Sequence, residues 1–311
     1  MSAPVLDGSN TPSRNADIVG HALSDFSLSE VQGLKGSATV SVCIPAQNEA
    51  STVGEIVAAL VDRFDGLEVP VVDELLVFDD GSTDDTAVVA ADAGAQVITV
   101  DEVLPQETRG RGKGNVLWKS VAASTGDIVV WIDADLTSFQ PDWILGLIGP
   151  LLADPDTALV KAHFERPEHA GSGGGRTTEI MVRPLFSTFF PQLATIKQPL
   201  VGEYAARRSV LEEVPFSMGY GVETGLLIDI AERHGIGSLR QVDLGIRTHR
   251  KRPVTELSGQ AMEILLVVLD RAGVEWQPHW GRDLIRAGDD VILIQTEERP
   301  PLRSIPGFRT T

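Results

Sequence analysis

Strand-like and helical segments alternate along the first half of the chain. Short apolar runs rich in β-branched residues predict strands, and apolar residues at helical spacing predict the helices between them. The elements follow in the order strand 39–45, helix 50–64, strand 73–78, helix 86–93, strand 96–100, helix 114–124, strand 128–132, helix 141–152 and strand 158–164. Such alternation is typical of an α/β fold with a mostly parallel sheet that helices cover on both faces.

The flanking segments are less regular. Residues 1–25 are dominated by polar residues, glycine and proline, which predicts a disordered N-terminal tail. A short amphipathic helix is predicted at residues 26–34, and the segment from residue 282 onward is mixed. In between, the pattern predicts a helix at 178–190 kinked at Pro184, strands at 200–206 and 241–247, and helices at 223–234 and 256–271.

Composition excludes several classes of protein. The 311 residues are 42% hydrophobic, which is enough to bury the core of one large α/β domain. No window approaches the roughly 20 apolar residues of a membrane helix, and residues 1–15 lack a signal-peptide pattern. We therefore expect a soluble, cytoplasmic protein. The formal net charge of −18 disfavours nucleic-acid binding, and the single cysteine, Cys43, is predicted to be a small buried residue.

Polar loops follow the predicted strands. In an open parallel sheet, ligands bind outside the carboxyl ends of the strands, so these loops are candidate sites. The last of them, Asp133-Ala134-Asp135, places two carboxylates on the same side of an extended chain. Such a pair can hold a divalent cation, which in turn can hold a diphosphate. The other three loops are 45–49, 79–86 and 111–114.

Each loop taken alone has a simple structural explanation. The first is an ordinary strand-to-helix turn, and the acids of the second can cap a helix. The Gly112-Lys113-Gly114 run lacks the spacing of a phosphate-binding Walker A motif. No Gly-x-Gly-x-x-Gly motif follows the first strand, which disfavours a dinucleotide-binding fold. A lone Asp-x-Asp occurs by chance in an acidic chain.

The four loops in this order resemble a nucleotide-sugar glycosyltransferase of the GT-A fold, over about residues 40–136. Four segments of the second half are similar to the actinobacterial glucosyl-3-phosphoglycerate synthases, glycosyltransferase family 81. With them, the resemblance covers about residues 28–257. The segments are 173–179, 198–204, 219–223 and 244–250.

The resemblance implies a reaction, a cofactor and an assembly. The reaction is retaining transfer of glucose from UDP-glucose to the 2-hydroxyl of 3-phosphoglycerate, with Mg²⁺ required and with Mn²⁺ or Co²⁺ able to replace it. A homodimer is also implied, with no nucleic-acid or membrane partner. Residues 26–140 would form the nucleotide-sugar half and residues 141–280 the acceptor half, followed by a C-terminal tail at 281–311.

The resemblance also assigns site residues one at a time. Asp135 and His249 match the metal ligands. The residues assigned to the acceptor site are Gly175, Arg176, Thr178 and Lys251, and the catalytic positions are Glu223, Asp135 and Arg176. The residues assigned to the nucleotide-sugar site are Pro45, Ala46, Gln47, Glu49, Asp80, Lys113, Asp133, Ala134, Asp135, Tyr220, Glu223 and Arg247.

The chemistry of the residues agrees with these assignments. 3-Phosphoglycerate carries a phosphate and a carboxylate, and a glycine-rich loop that opens a helix at Arg176 offers free amides and a guanidinium. A neutral His249 imidazole suits a divalent ion beside carboxylate and phosphate oxygens. Structural alternatives remain open: His249 or Arg176 on the surface, Glu223 as a helix cap, and Tyr220 in the core.

Three positions depart from the family pattern. Lys251 stands where the family has an amide residue near the acceptor. Asp80 replaces a serine and Gln47 replaces an aliphatic residue, both in the nucleotide pocket. The alternative function is therefore a mannosyl-3-phosphoglycerate synthase that uses GDP-mannose, or another soluble family 2-like nucleotide-sugar glycosyltransferase.

Two further functions compete. A polysaccharide or lipid glycosyltransferase of family 2 shares the N-terminal motifs, but this chain lacks a Gln-x-x-Arg-Trp box and a membrane helix. A nucleotidylyltransferase-like protein would bind a sugar nucleotide without transferring the sugar.

Overall fold

The computed structural model describes residues 18–107, 110, 112–165, 175–247, 254–288 and 290–308. Its strands are β1 Val19–Ala22, β2 Val40–Ala46, β3 Glu74–Asp79, β4 Gln96–Thr99, β5 Ile128–Trp131, β6 Leu159–Glu165, β7 Tyr204–Arg207, β8 Phe216–Ser217, β9 Leu239–Ile246, β10 Leu284–Ile285, β11 Val291–Ile292 and β12 Glu298–Arg299. Its α-helices are α1 Leu28–Lys35, α2 Val53–Phe64, α3 Thr86–Asp92, α4 Lys113–Ala123, α5 Trp143–Ala153, α6 Arg183–Phe189, α7 Arg208–Leu211, α8 Val222–His234 and α9 Val254–Arg271.

Eight strands form one sheet in the order β1-β9-β6-β7-β5-β2-β3-β4. Every neighbouring pair is parallel except the two that β7 makes with β5 and β6, so the predicted mostly parallel α/β sheet is confirmed. Trp131 at the end of β5 pairs with Tyr204 at the start of β7. The antiparallel strand therefore brings the residues that precede it to the edge where β5 ends.

The sheet is buried on both faces. Along β2, Val42 and Ile44 pack into one apolar cluster with Trp143, while Cys43 packs into the other with Trp118. This division follows from the alternation of side chains along a strand. Burial raises the pKa of the Cys43 thiol to about 12, and the prediction of a small buried residue is confirmed.

The N-terminal prediction is partly wrong. Disorder was expected for residues 1–25, but Val19–Ala22 forms the edge strand β1, parallel to β9. Its four residues include a glycine and are too few to show periodicity, and the pairing with β9 is supplied from more than two hundred residues away. Residues 1–17 lie outside the described part of the chain.

The C-terminal segment packs against the core. β12 pairs antiparallel with β8, and the Trp118 indole nitrogen donates to the Pro300 carbonyl at 2.8 Å. Leu302 and Ile305 are buried in the same apolar cluster as Trp118. The sequence predicted no strands here, because two-residue strands have no periodicity to read. No helix in the described ranges combines the length and apolarity that a membrane crossing requires.

Two elements of the second half differ in detail from their predictions. The helix predicted at 178–190 is a π-helical turn, Thr178–Val182, followed by α6, which carries Pro184 in its first turn where proline is tolerated. The strand predicted at 200–206 begins only at Tyr204, because residues 198–201 form a turn closed by a bond from the Val201 amide to the Gln198 carbonyl.

Arg208 ties the end of α4 to the loop that leads into β5; Lys113 begins this helix, and Asp133 follows this strand. The Arg208 side chain is buried and donates to the carbonyls of Val121 and Gly126 and to the Ser124 hydroxyl. Arg208→Ala leaves these buried acceptors without their donor. We expect the free energy of unfolding to fall by about 2–4 kcal/mol, measured by urea denaturation.

Arg233→Ala is the matched control, since Arg233 is exposed in the last turn of α8. Its unfolding free energy should change by less than about 0.5 kcal/mol. Equal losses in the two variants would contradict the role of the Arg208 contacts.

Candidate active site

Three of the polar loops meet at one edge of the sheet. Ala46 at the end of β2 pairs with Asp79 at the end of β3, and the Asp80 amide donates to the Ala46 carbonyl at 3.0 Å. On the other side of β2, the Ile132 amide donates to the Cys43 carbonyl at 3.3 Å. The carboxyl ends of β2, β3 and β5 therefore lie side by side, as a parallel sheet requires.

The first two loops are hydrogen-bonded to each other. The Gln47 side-chain amide donates to the Asp80 carbonyl at 2.8 Å, and the Asn48 amide donates to the Ser82 hydroxyl at 3.0 Å. The Thr83 amide donates back to Asn48 Oδ1 at 2.8 Å. Asn48 has a φ of 58°, a left-handed conformation that asparagine tolerates better than most residues. These bonds make the two loops one surface.

The predicted nucleotide residues on this surface differ in exposure. Ala46 is buried in the core, whereas Gln47 is exposed. Pro45, Glu49 and Asp80 are half-buried at the rim. The structure thus brings all five together at one edge, with the polar ones open to a ligand.

Lys113 bridges the two halves of the chain. Its ammonium lies 2.9 Å from Asp133 Oδ1 and 2.9 Å from Glu223 Oε1. Burial by itself would lower the pKa of Lys113, but the two carboxylates outweigh it and hold the pKa well above its ordinary value. The cation belongs to the first turn of α4 and Glu223 to the first turn of α8, so one ion pair network joins both helix starts to the end of β5.

Two glycines permit this close packing. A Cβ on Gly114 would lie 1.8 Å from the Ser217 carbonyl oxygen, and a Cβ on Gly202 would lie 2.1 Å from Asp133 Oδ2. Only glycine therefore lets α4 start against β8 and lets the Asp133 carboxylate rest against the chain that enters β7.

A second ion pair lies behind the first. Arg247 Nη1 is 2.6 Å from Glu203 Oε2, and Arg247 Nη2 is 3.9 Å from Asp133 Oδ2. Burial raises the pKa of Glu203 to about 7, although Arg247 opposes the shift. Burial also favours the neutral form of Asp133, but Lys113 and Arg247 outweigh it and lower the pKa of that carboxyl. Asp133, which is half-buried, thus remains an anion.

Lys161 is a third buried cation. It lies in β6, donates to the Val201 carbonyl, and its ammonium is 3.9 Å from the centre of the Tyr204 ring. Burial lowers the pKa of Lys161 to about 7, although Glu223 opposes the shift. No role was predicted from the sequence for Lys161, Glu203 or Tyr204. The available signal was a lysine in a mostly apolar strand of a sheet that is covered on both faces.

The two acids of Asp133-Ala134-Asp135 have different environments. Ala134 is buried, Asp133 is held by Lys113, and Asp135 is exposed at the edge of the sheet. The Asp135 carboxylate still contributes, after Glu203 and Asp133, to the raised pKa of Arg247, so it lies near the Arg247 guanidinium. Alternation along the extended chain predicted a common side for both acids, but only Asp133 is paired with Lys113, so their environments differ.

The predicted acceptor residues open a separate helical segment. Gly175 has a φ of 96°, a conformation that favours glycine, and its carbonyl accepts the Glu179 amide at 2.9 Å. Arg176 is half-buried, and Thr178 is buried in the π-helical turn. Residues 166–174, which include the preceding glycines, lie outside the described residues.

Two of the structural alternatives can now be assessed. Tyr220 is 40% exposed, so its assignment to the core is wrong. Its amide donates to a carboxylate oxygen of Glu263 at 2.5 Å. Glu223 lies in the first turn of α8, but its carboxylate pairs with Lys113 and the residue at the cap position is Gly221. The predicted ligand His249 and the predicted acceptor residue Lys251 lie outside the described residues.

Comparison with known proteins identifies the family to which this chain belongs. The family model described as Glycosyl transferase family 2 matches residues 41–214. The glucosyl-3-phosphoglycerate synthase of Mycolicibacterium smegmatis is 40% identical over 289 residues, which cover 90% of this chain and 94% of that protein.

Solved structures of the Mycobacterium tuberculosis glucosyl-3-phosphoglycerate synthase are similar in fold. A complex with Mg²⁺ and UDP has a TM-score of 0.83 at 38% identity. A complex with Mn²⁺, UDP-glucose and phosphoglyceric acid has a TM-score of 0.82 at 38% identity. Each comparison covers 92% of this chain and 98% of the other. Sequence and fold agree over nearly the whole length, and the chain therefore belongs to the glucosyl-3-phosphoglycerate synthases, glycosyltransferases with a family 2 type of domain.

Proposed function

We propose that this chain transfers glucose from UDP-glucose to the 2-hydroxyl of 3-phosphoglycerate, with retention at the anomeric carbon and release of UDP. The observation that carries the proposal is the contact of Lys113 with both Asp133 and Glu223 at the carboxyl ends of the strands. It places a cation suited to a diphosphate beside carboxylates suited to sugar hydroxyls. The relatives named above supply the identity of donor and acceptor.

Donor binding divides among residues of both halves of the chain. Pro45, Gln47, Glu49 and Asp80 line the joined first two loops, where the base and ribose would bind. Asp133 would accept a ribose hydroxyl. The first turn of α4 offers the positive end of a helix dipole to the diphosphate, with Lys113 beside it.

The residues present fit a divalent cation. Within the described part of the chain, no three His, Cys, Asp or Glu side chains cluster into a complete metal cage. Mg²⁺ needs no such cage, because it keeps several waters and binds through one or two carboxylates and the substrate phosphates. Asp135 is an exposed carboxylate at the edge of the sheet where β5 ends, and His249 would be the second protein ligand of the ion. When bound, the ion would neutralise charge on the leaving diphosphate.

Glu223 would orient the sugar. Its carboxylate is almost fully buried and held by Lys113, so it has a defined position from which to accept hydroxyl hydrogen bonds. Tyr220, exposed two residues before α8, would cover the same sugar. We favour front-face attack by the acceptor hydroxyl on an oxocarbenium-like sugar, with the leaving phosphate oxygen taking the proton.

Acceptor binding would come from the segment that Gly175 opens. The Arg176 guanidinium and the amides of this helical start suit the phosphate and carboxylate of 3-phosphoglycerate. Thr178 and Lys251 would complete the site. Residues 26–140 would then serve mainly the nucleotide sugar and residues 141–280 mainly the acceptor.

We also propose that the enzyme is cytoplasmic and that it forms a homodimer. Both proposed substrates are multiply charged and do not cross a bilayer unaided. Sedimentation equilibrium on the whole chain measures the assembly directly.

The reaction is tested by mixing the protein with UDP-glucose, MgCl₂ and 3-phosphoglycerate and measuring UDP release. We expect release only when donor and acceptor are both present, with an α-configured product by NMR. A panel that includes GDP-mannose tests the alternative donor. UDP-glucose binding without release would point to a binding protein, and faster turnover of GDP-mannose would replace the proposed donor.

Asp135→Asn should lower metal-dependent turnover by about 100-fold or more, because the carboxylate ligand to the ion is lost. Mn²⁺ affinity in the presence of UDP, measured by electron paramagnetic resonance, should fall in parallel. Asp156→Asn is the control, since Asp156 is exposed before β6, at the opposite end of a strand. Wild-type turnover and Mn²⁺ affinity in Asp135→Asn would refute the assignment.

Glu223→Gln should reduce kcat/KM by about 10- to 100-fold, the worth of one or two charge-assisted hydrogen bonds to the sugar. The amide keeps the shape of the side chain, and steady-state UDP release measures the loss. Glu232→Gln, an exposed change on the same helix, should leave kcat/KM unaltered. Near-complete loss that azide restores, with formation of a glucosyl azide, would show Glu223 to be a covalent nucleophile and would overturn front-face attack.

A further inference from the structure

The C-terminal segment returns to the start of α4. Residues Glu298–Arg299 pair antiparallel with Phe216–Ser217. The Met218 amide donates to the Glu297 carbonyl at 3.1 Å, which extends this pairing by one residue. A segment that the sequence shows only as a mixed tail is thus part of the support for Lys113.

β8 and the residue after it form the surface on which α4 begins. The Asn115 amide donates to the Met218 carbonyl at 3.1 Å. A Cβ on Gly112 would lie 3.0 Å from the same carbonyl oxygen, and one on Gly110 would lie 2.5 Å from Gln295 Nε2. The chain before and after Lys113 therefore rests on Met218 and on the C-terminal segment.

Arg299 joins both flanks of Lys113. Its Nε donates to Asn115 Oδ1 at 2.8 Å, and its Nη1 lies 3.7 Å from Glu107 Oε2. The guanidinium carbon lies 5.2 Å from the centre of the Trp118 ring, and the side chain is 3% exposed. A guanidinium removed from water in this way is held by its hydrogen-bond and ion-pair partners, because burial takes away the solvation of its charge.

We propose that Arg299 is a positioning residue for donor binding. Its hydrogen bond to Asn115 and its ion pair with Glu107 hold the first turn of α4, and with it Lys113, where the diphosphate binds. Arg299 acts through α4 and does not touch the substrate itself. The inference rests on the proposed function of Lys113 as a ligand of the UDP-glucose diphosphate. It assigns the C-terminal strand a role in donor affinity and none in acceptor affinity.

The test compares Arg299→Gln with the wild type in the full-length protein. We expect KM for UDP-glucose and the Kd for UDP, measured by calorimetry, to rise about tenfold. KM for 3-phosphoglycerate should not change. Hydrogen exchange of the amides in the first turn of α4 should become faster, while exchange in α8 stays the same.

Arg303→Gln is the matched control. Arg303 lies four residues further along the same segment, is half exposed, and pairs with Glu212 and Glu213 on another element. Its UDP affinity and exchange in α4 should equal those of the wild type. Arg299→Lys keeps the charge but cannot hold both partners at once, so its KM for UDP-glucose should be intermediate. This variant also keeps the test available if Arg299→Gln folds poorly.

Unchanged exchange in α4, or faster exchange with unchanged UDP affinity, would overturn the inference. A parallel rise in both KM values would reduce Arg299 to a general stabilising residue. Failure of the proposed function gives a different result: the wild type itself would then not turn over UDP-glucose with 3-phosphoglycerate. The hydrogen-exchange comparison would still decide whether Arg299 holds the start of α4.

Discussion

The site depends on one cation placed between two carboxylates. Lys113 contacts Asp133 and Glu223, which come from opposite halves of the chain. Removing three charges from water is costly, and the cost is offset only when each charge has a close partner. Loss of Lys113 would leave the two carboxylates facing each other without the cation between them. The end of β5 and the first turns of α4 and α8 are therefore held in a single arrangement.

The reversed direction of β7 makes this arrangement possible. Because β7 is antiparallel to β5, Gly202 and Glu203 arrive at the edge where Asp133 leaves the sheet. Glu203 then pairs with Arg247, whose guanidinium also faces Asp133. The result is a layer of alternating charges below the proposed donor site. This layer keeps Asp133 anionic in a place where burial alone would favour its neutral form.

Much of the fold and part of the site could be predicted from local sequence. Apolar periodicity located the main strands and helices, and strand polarity implied that their polar ends would meet at one edge. The pairing of β1 with β9 and of β12 with β8 could not be predicted, because such short strands have no periodicity of their own. The pairing of Lys113 with Glu223 could likewise not be predicted, since an ion pair across 110 residues of chain follows from packing rather than from spacing.

The sequence by itself determined the α/β class, the polar loops at the strand ends and the acidic pair Asp133 and Asp135, because these depend on composition and on periods of a few residues. Only the tertiary structure decided the different environments of these two acids. Asp133 lies against Gly202 and pairs with Lys113, whereas Asp135 remains exposed. The difference arises because burial and partner charges, which set the behaviour of a carboxylate, come from segments that are distant in sequence.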